Sequence, residues 1–81
     1  MILRKYHIVY DRVAESWELR RVGADETPEF VARYPTRDAA VCGCKLYCGR
    51  QRCTGWVADL LAYDPDGRLA FEQLFDPALA V

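Results

Sequence analysis

Tyr34-Pro35-Thr36-Arg37-Asp38-Ala39-Ala40 is where the helix of this chain is expected to begin, and that start point organises everything around it. Pro35 excludes α geometry at Tyr34. Thr36 then reads as a helix N-cap, because its hydroxyl can accept a hydrogen bond from an orphan N–H of the first turn. Asp38 suits the positive end of the helix dipole. The helix is expected over residues 37–49. Ala40, Val41, Cys44, Tyr47 and Cys48 recur at three- and four-residue spacing and define its buried stripe, while Arg37, Asp38, Lys45 and Arg50 fall outside it. Gly49 reads as the residue that ends it.

The remaining segments read as strands. Residues 5–13 alternate loosely and are rich in Tyr, Ile and Val, which predicts a strand. Ala14-Glu15-Ser16 is a polar break. Residues 17–22 form a second strand, with Trp17, Leu19 and Arg21 on one face and Glu18, Arg20 and Val22 on the other. The two make an antiparallel hairpin. Gly23, Asp25 and Pro28 mark a loop over 23–29. Residues 30–34 are extended again, either continuing the second strand after a bulge or forming a short strand of their own. Residues 51–55 are a loop, and 57–63 are a core strand. Asp64-Pro65-Asp66-Gly67 is a hairpin turn, since Pro65 presets φ and Gly67 tolerates positive φ. Residues 69–75 are the last strand, and 76–81 are a frayed tail. The expected fold is a single α+β domain over 1–81, with its core in 5–75. It is a β-β-α-β-β chain forming an antiparallel sheet of four to five strands, with one helix packed on one face.

A chain of 81 residues buries only ~60–65% of its unfolded surface, so its core is thin. Half of the residues are apolar, too many for a disordered chain. The N-terminus interleaves Arg4, Lys5 and His7 with its apolar residues and lacks the apolar stretch of a signal peptide. No apolar run approaches the ~20 residues a membrane helix needs. The expected location is cytoplasmic. Residues 1–53 carry a net charge of +3 and residues 54–81 carry −4, so the chain is dipolar rather than basic. It lacks the positive balance of a dedicated nucleic-acid binder.

The order of these pieces resembles a family of short uncharacterised bacterial proteins, a domain of unknown function. The residues that carry the resemblance are Trp17 and Leu19, then Tyr34, Thr36, Arg37, Asp38 and Ala40, then Asp66, Gly67, Leu69 and Glu72. It covers roughly residues 6–75, and its motifs are structural ones: a strand, a helix cap and a turn. The resemblance implies the β-β-α-β-β fold and brings no activity with it. The four cysteines and the extra aromatics of this chain depart from the pattern.

Cys42, Cys44, Cys48 and Cys53 are spaced C-x-C-x₃-C-x₄-C. A zinc site needs four ligands converging on a tetrahedron. Cys44 and Cys48, four apart on a helix, share a face, but Cys42 points about 160° away from Cys44. His7 lies on a distant strand. The spacing therefore predicts packing roles for Cys44 and Cys48, semi-exposed Cys42 and Cys53, and no metal. No Cys or Ser sits in a recognisable nucleophile signature, no glycine-rich phosphate loop exists, and the carboxylates are scattered at strand ends and turns. No catalytic group and no cofactor site is expected.

Arg20, Arg33, Arg37, Lys45, Arg50 and Arg52 form a looser group with Trp17, Tyr34 and Trp56 near them in sequence. The candidate contact surface is Trp17, Arg20, Arg33, Arg37, Arg50, Arg52 and Trp56. A second candidate is the sheet face away from the helix, expected to carry Val9, Val22, Val31 and one of Leu60 or Leu61. Apolar groups behind a small open sheet invite pairing. The expected function is a non-enzymatic interaction module that docks a protein or a second copy of itself. Nucleic-acid binding by the basic and aromatic groups is the alternative, and a membrane partner is not expected.

Overall fold

The computed structural model describes residues 2–23, 25, 27–49 and 56–76. Arg50, Arg52 and Cys53, the loop expected over 51–55 and the tail beyond Asp76 lie outside the described residues. The elements are β1 (Ile2–Asp11), β2 (Ser16–Val22), β3 (Pro28–Tyr34), α1 (Arg37–Gly49), β4 (Trp56–Tyr63) and β5 (Leu69–Phe75). They form one five-strand sheet in the order β3-β2-β1-β4-β5, with α1 across one face. This is the expected α+β class. Residues 30–34, for which two readings were open, belong to a separate edge strand.

The sheet is mixed rather than wholly antiparallel. β1 and β4 run parallel, with Tyr6 opposite Leu60, while β1–β2, β2–β3 and β4–β5 are antiparallel. The helix causes this. A chain that leaves β3, returns across the sheet as α1 and enters β4 must run through β4 in the direction of β3, which is also that of β1. Alternation within a strand encodes which side chains face in, not which neighbour the strand chooses.

Local chemistry places the ends. The first strand begins at Ile2 and stops at Asp11, short of the expected Val13. The Asp11 carboxylate accepts hydrogen bonds from the N–H groups of Val13 and Ala14, at 3.0 and 3.3 Å. Those donors are thereby drawn away from the ladder, and the chain turns. Val13 is left 97% exposed, and Glu15 completes the turn with φ of 52°. At α1 the cap is as expected. The Ala39 N–H donates to Thr36 Oγ1 at 3.1 Å, and the Ala40 N–H donates to the Thr36 carbonyl at 3.1 Å. In the last hairpin the Gly67 N–H donates to the Asp64 carbonyl at 2.9 Å, and the Asp64 N–H donates to the Arg68 carbonyl at 2.7 Å. Gly67 has φ of 89°, so it supplies the left-handed residue that this three-residue turn requires.

The core lies between α1 and the sheet. Tyr6, Ile8, Leu19, Leu60, Ala58 and Ala62 face the helix, and Ala40, Cys44 and Cys48 fill the gap from its side; all nine are fully buried. Cys44 and Cys48 thus pack as expected, and Cys42 is exposed. Gly43 lies against Tyr34: a Cβ there would sit 2.2 Å from the end of the tyrosine ring. Among the described residues no helix is long and apolar enough to cross a membrane.

Candidate functional site: the open sheet face

The helix covers one face of the sheet, and the register determines what the other face carries. Successive side chains point to opposite faces, and directly paired residues share one. The face opposite α1 therefore bears Lys5, His7 and Val9 from β1, with Glu18, Arg20 and Val22 from β2. It also bears Asp59, Leu61 and Tyr63 from β4, Glu72 and Leu74 from β5, and Phe30 and Arg33 from β3.

Val9, Val22 and Leu61 lie here as expected, and Leu60 takes the core side. Val31 is a correction. The β2–β3 register shifts between Leu19 and Arg20, where Leu19 pairs with Ala32 and Arg20 with Phe30. Val31 is the extra residue of that bulge, and it packs against the core.

Two carboxylates sink into this face. Glu18 is 6% exposed and Asp59 is 4% exposed, although each belongs to a residue type that rarely buries without a partner. Glu18 has partners. The Arg20 Nε and Nη2 donate to its Oε2 at 3.0 and 2.6 Å, and the Arg33 Nη2 donates to its Oε1 at 2.8 Å. Arg33 also lies 3.7 Å from the Asp11 carboxylate. Asp11 itself is held below the usual carboxylate range, chiefly by the Ala14 N–H, with help from Val13 and Arg33.

Asp59 is different. It stands in register between Lys5 on β1 and Leu74 on β5, and its Oδ1 is buried with no hydrogen-bond partner. Its effect is felt by Glu72. A hydrogen bond to Asp59, and then the Asp59 charge, raise the Glu72 carboxyl above its usual range. The exposed glutamate thus gives up its proton at a higher pH than an isolated carboxyl does. His7, whose ring meets Tyr63 edge-on at 5.3 Å, is lowered from its ordinary value by burial, then by Lys5 and Arg20, with Asp59 opposing. Lys5, His7, Val22, Leu61 and Tyr63 of this face, together with Arg4, Arg21 and Glu29 from the helix side, line a broad open depression of about 920 Å³.

Of the seven residues expected to form one contact surface, the five described lie in several places. Arg20 and Arg33 are together on the open face, joined through Glu18. Trp17 packs on the helix side, 5.1 Å from the Tyr10 ring. Arg37 lies near it, with its guanidinium 5.7 Å from Trp17 and 5.8 Å from Phe71, and Nη1 is 3.0 Å from Asp64 Oδ1. Trp56 is a core residue, 4% exposed, with Arg4 stacked 4.6 Å from its ring. Its place at the start of β4, opposite Ile2, puts it far from Trp17, which pairs with Tyr34 and Tyr10.

Glu18, Asp59 and Glu72 were not among those seven. A signal for Asp59 existed: it interrupts the otherwise apolar run Trp56-Val-Ala-Asp-Leu-Leu-Ala62. The thiols stay inside. The Cys48 thiol is lowered by a hydrogen bond from Cys44, and burial raises the Tyr6 hydroxyl beside it. Among the described residues no three His, Cys, Asp or Glu side chains converge as a metal site needs.

Comparison with protein-family models, with curated proteins and with solved structures found no match.

Proposed function

We propose that this chain is a non-enzymatic interaction module whose working surface is the open sheet face, and that its partner there is a second copy of the same chain. The observation that carries the reading is the character of that face. It combines half-buried apolar side chains, Val9, Val22 and Leu61, with carboxylates buried to 6% exposure or less. An ordinary solvated face does not bury its charges. Phe30 and Leu74 stay more than half exposed on this face, and such apolar groups beside fixed charges suit a surface that a partner covers and that its charges specify. The thin core of a chain this size gains from such cover.

The charges favour a second copy over a nucleic acid. On the β2–β3 side Glu18 offsets part of the charge of the two guanidinia, and the β4–β5 side presents Asp59 and Glu72 to any phosphate. Cys42, Cys44 and Cys48 are free thiols, which suits the proposed cytoplasmic setting.

Size-exclusion chromatography with light scattering tests it. The expected result is a mass near twice that of the chain, falling toward one on dilution. A single-chain mass at every concentration would remove self-association.

A further inference from the structure

Asp59 asks for something the chain does not supply. Its Oδ1 is buried and without a donor, at a residue 4% exposed; Lys5, its in-register neighbour on β1, makes no ion pair with it among the described residues, and the Glu72 carboxyl beside it is raised by the Asp59 charge. An unpaired buried acceptor costs stability, and a second carboxylate beside it adds repulsion. Both penalties are relieved at once by a cation brought from outside. The open face holds such cations on its other half, at Arg20 on β2 and Arg33 on β3. Their side chains are 40% and 44% exposed even while they engage Glu18. Arg20 uses Nε and Nη2 on Glu18, and Arg33 uses Nη2, so other guanidinium donors remain.

The strand order turns this into a geometry. With β1 central, a two-fold axis parallel to β1 and lying between two stacked faces lays β2 of one copy over β4 of the other, and β3 over β5. Such an interface is isologous, and every contact occurs twice. In the register, Arg20 lies level with Leu61, one strand step from Asp59; Arg33 lies level with Val9, one step from the level of Glu72. A step of two residues is ~6.6 Å, which an arginine side chain spans while it crosses between sheets.

We infer that the Asp59–Glu72 pair is the acceptor site for the guanidinium groups of a second copy: Arg20 of that copy reaches Asp59, and Arg33 reaches Glu72. The inference rests on the self-association reading and specifies its orientation. A dimer made by joining edge strands, or by an axis perpendicular to β1, does not bring these groups together.

A charge exchange between two exposed positions tests it. Glu72→Arg alone should lose most association, because each interface then opposes two arginines twice. Arg33→Glu alone should lose it as well. Mixed one to one, the two variants should associate again, since one interface pair is native and the other is reversed. Sedimentation equilibrium of each variant and of the mixture reads the result, with circular dichroism as the check on folding. Arg20 still engages Glu18 in Arg33→Glu. If that variant nevertheless fails to fold, Arg33→Gln replaces it, and its mixture with Glu72→Arg should associate more tightly than either variant alone. Wild-type association with no recovery in the mixture overturns the pairing and leaves self-association standing. A wild-type chain that stays monomeric overturns both.

Discussion

The two faces of this sheet are built by different rules. On the covered face Tyr6, Ile8, Leu19 and Leu60 meet Cys44 and Cys48 of α1 with no exposure, and the chemistry there is apolar apart from the thiols and the Tyr6 hydroxyl. On the open face the same strands, shifted by one residue, alternate valine and leucine with Lys5, Arg20, Glu18 and Asp59. The covered face has one neighbour, fixed by the chain itself, so volume alone is enough to specify it. The open face carries charges whose burial costs energy, and in the proposed dimer those charges specify the partner. Glu18 accepts hydrogen bonds from two arginines of its own chain, whereas Asp59 Oδ1 accepts none, although Lys5 stands beside it in register. That difference between two buried carboxylates on one face divides it into a half that is complete and a half that is waiting.

Leu60 and Leu61 break or sustain the contrast most strongly. They are adjacent in sequence and on opposite faces. Leu60→Ala should cost about 2–5 kcal/mol by opening a cavity in the core, a large share of the roughly 5–15 kcal/mol that holds a domain of ordinary stability. Leu61→Ala should cost well under half of that in the monomer and weaken association instead. Chemical denaturation of both variants, run at low protein concentration, checks the pair; equal losses would mean that the faces are not distinct.

Asp59→Leu sharpens the same point with the opposite sign. Removing a buried acceptor that lacks a donor should raise monomer stability by about 1–3 kcal/mol. It should also abolish the dimer. Thermal melts and sedimentation together read this, and a loss of stability would show that Asp59 is satisfied within the chain.

Much of the covered face was legible in the residues, and little of the open one was. Thr36 and the Asp64-Pro-Asp-Gly67 turn carry their mechanism in their own side chains and backbone, so the helix start and the last hairpin follow directly. The stripe through Ala40, Cys44 and Cys48 is a local periodicity. The side of Val31 and the parallel pairing of β1 with β4 are not local. The first depends on a bulge opposite Leu19 and Arg20, and the second on where α1 delivers the chain. The burial of Glu18 and Asp59 depends on which strands flank them, so in the sequence they resemble any charged residue on a solvated strand. Arg37 and Trp17 adjoin as their neighbouring motifs suggest, but Trp56 serves the core, because its indole sits at the start of a strand whose odd face is open and even face is covered.

Thr36→Ala is a smaller effect on the covered side. Losing the cap to the Ala39 N–H should cost about 1 kcal/mol, without changing association; a change in dimer affinity would tie α1 to the interface. The smallest expected effect is that of pH. The Glu72 carboxyl is raised in the single chain, so its share of monomer stability is present below the ordinary value near 4.5 and is lost as pH rises through the raised one. In the dimer an arginine favours the charged form. Acidification through that window should therefore stabilise the monomer slightly while it loosens the dimer. His7, lowered chiefly by burial, opposes the monomer effect, because its share of stability is present above its lowered value and is lost as pH falls through it. Sedimentation across this range, with Glu72→Gln as the comparison, should show the wild type losing association more steeply than the variant.

Methyl NMR of a chain labelled at leucine and valine, followed through dilution, tests the central claim most directly. Val22, Leu61 and Leu74 should shift with concentration while Leu19 and Leu60 hold still. Shifts confined to the covered side, or none at any concentration, would contradict it.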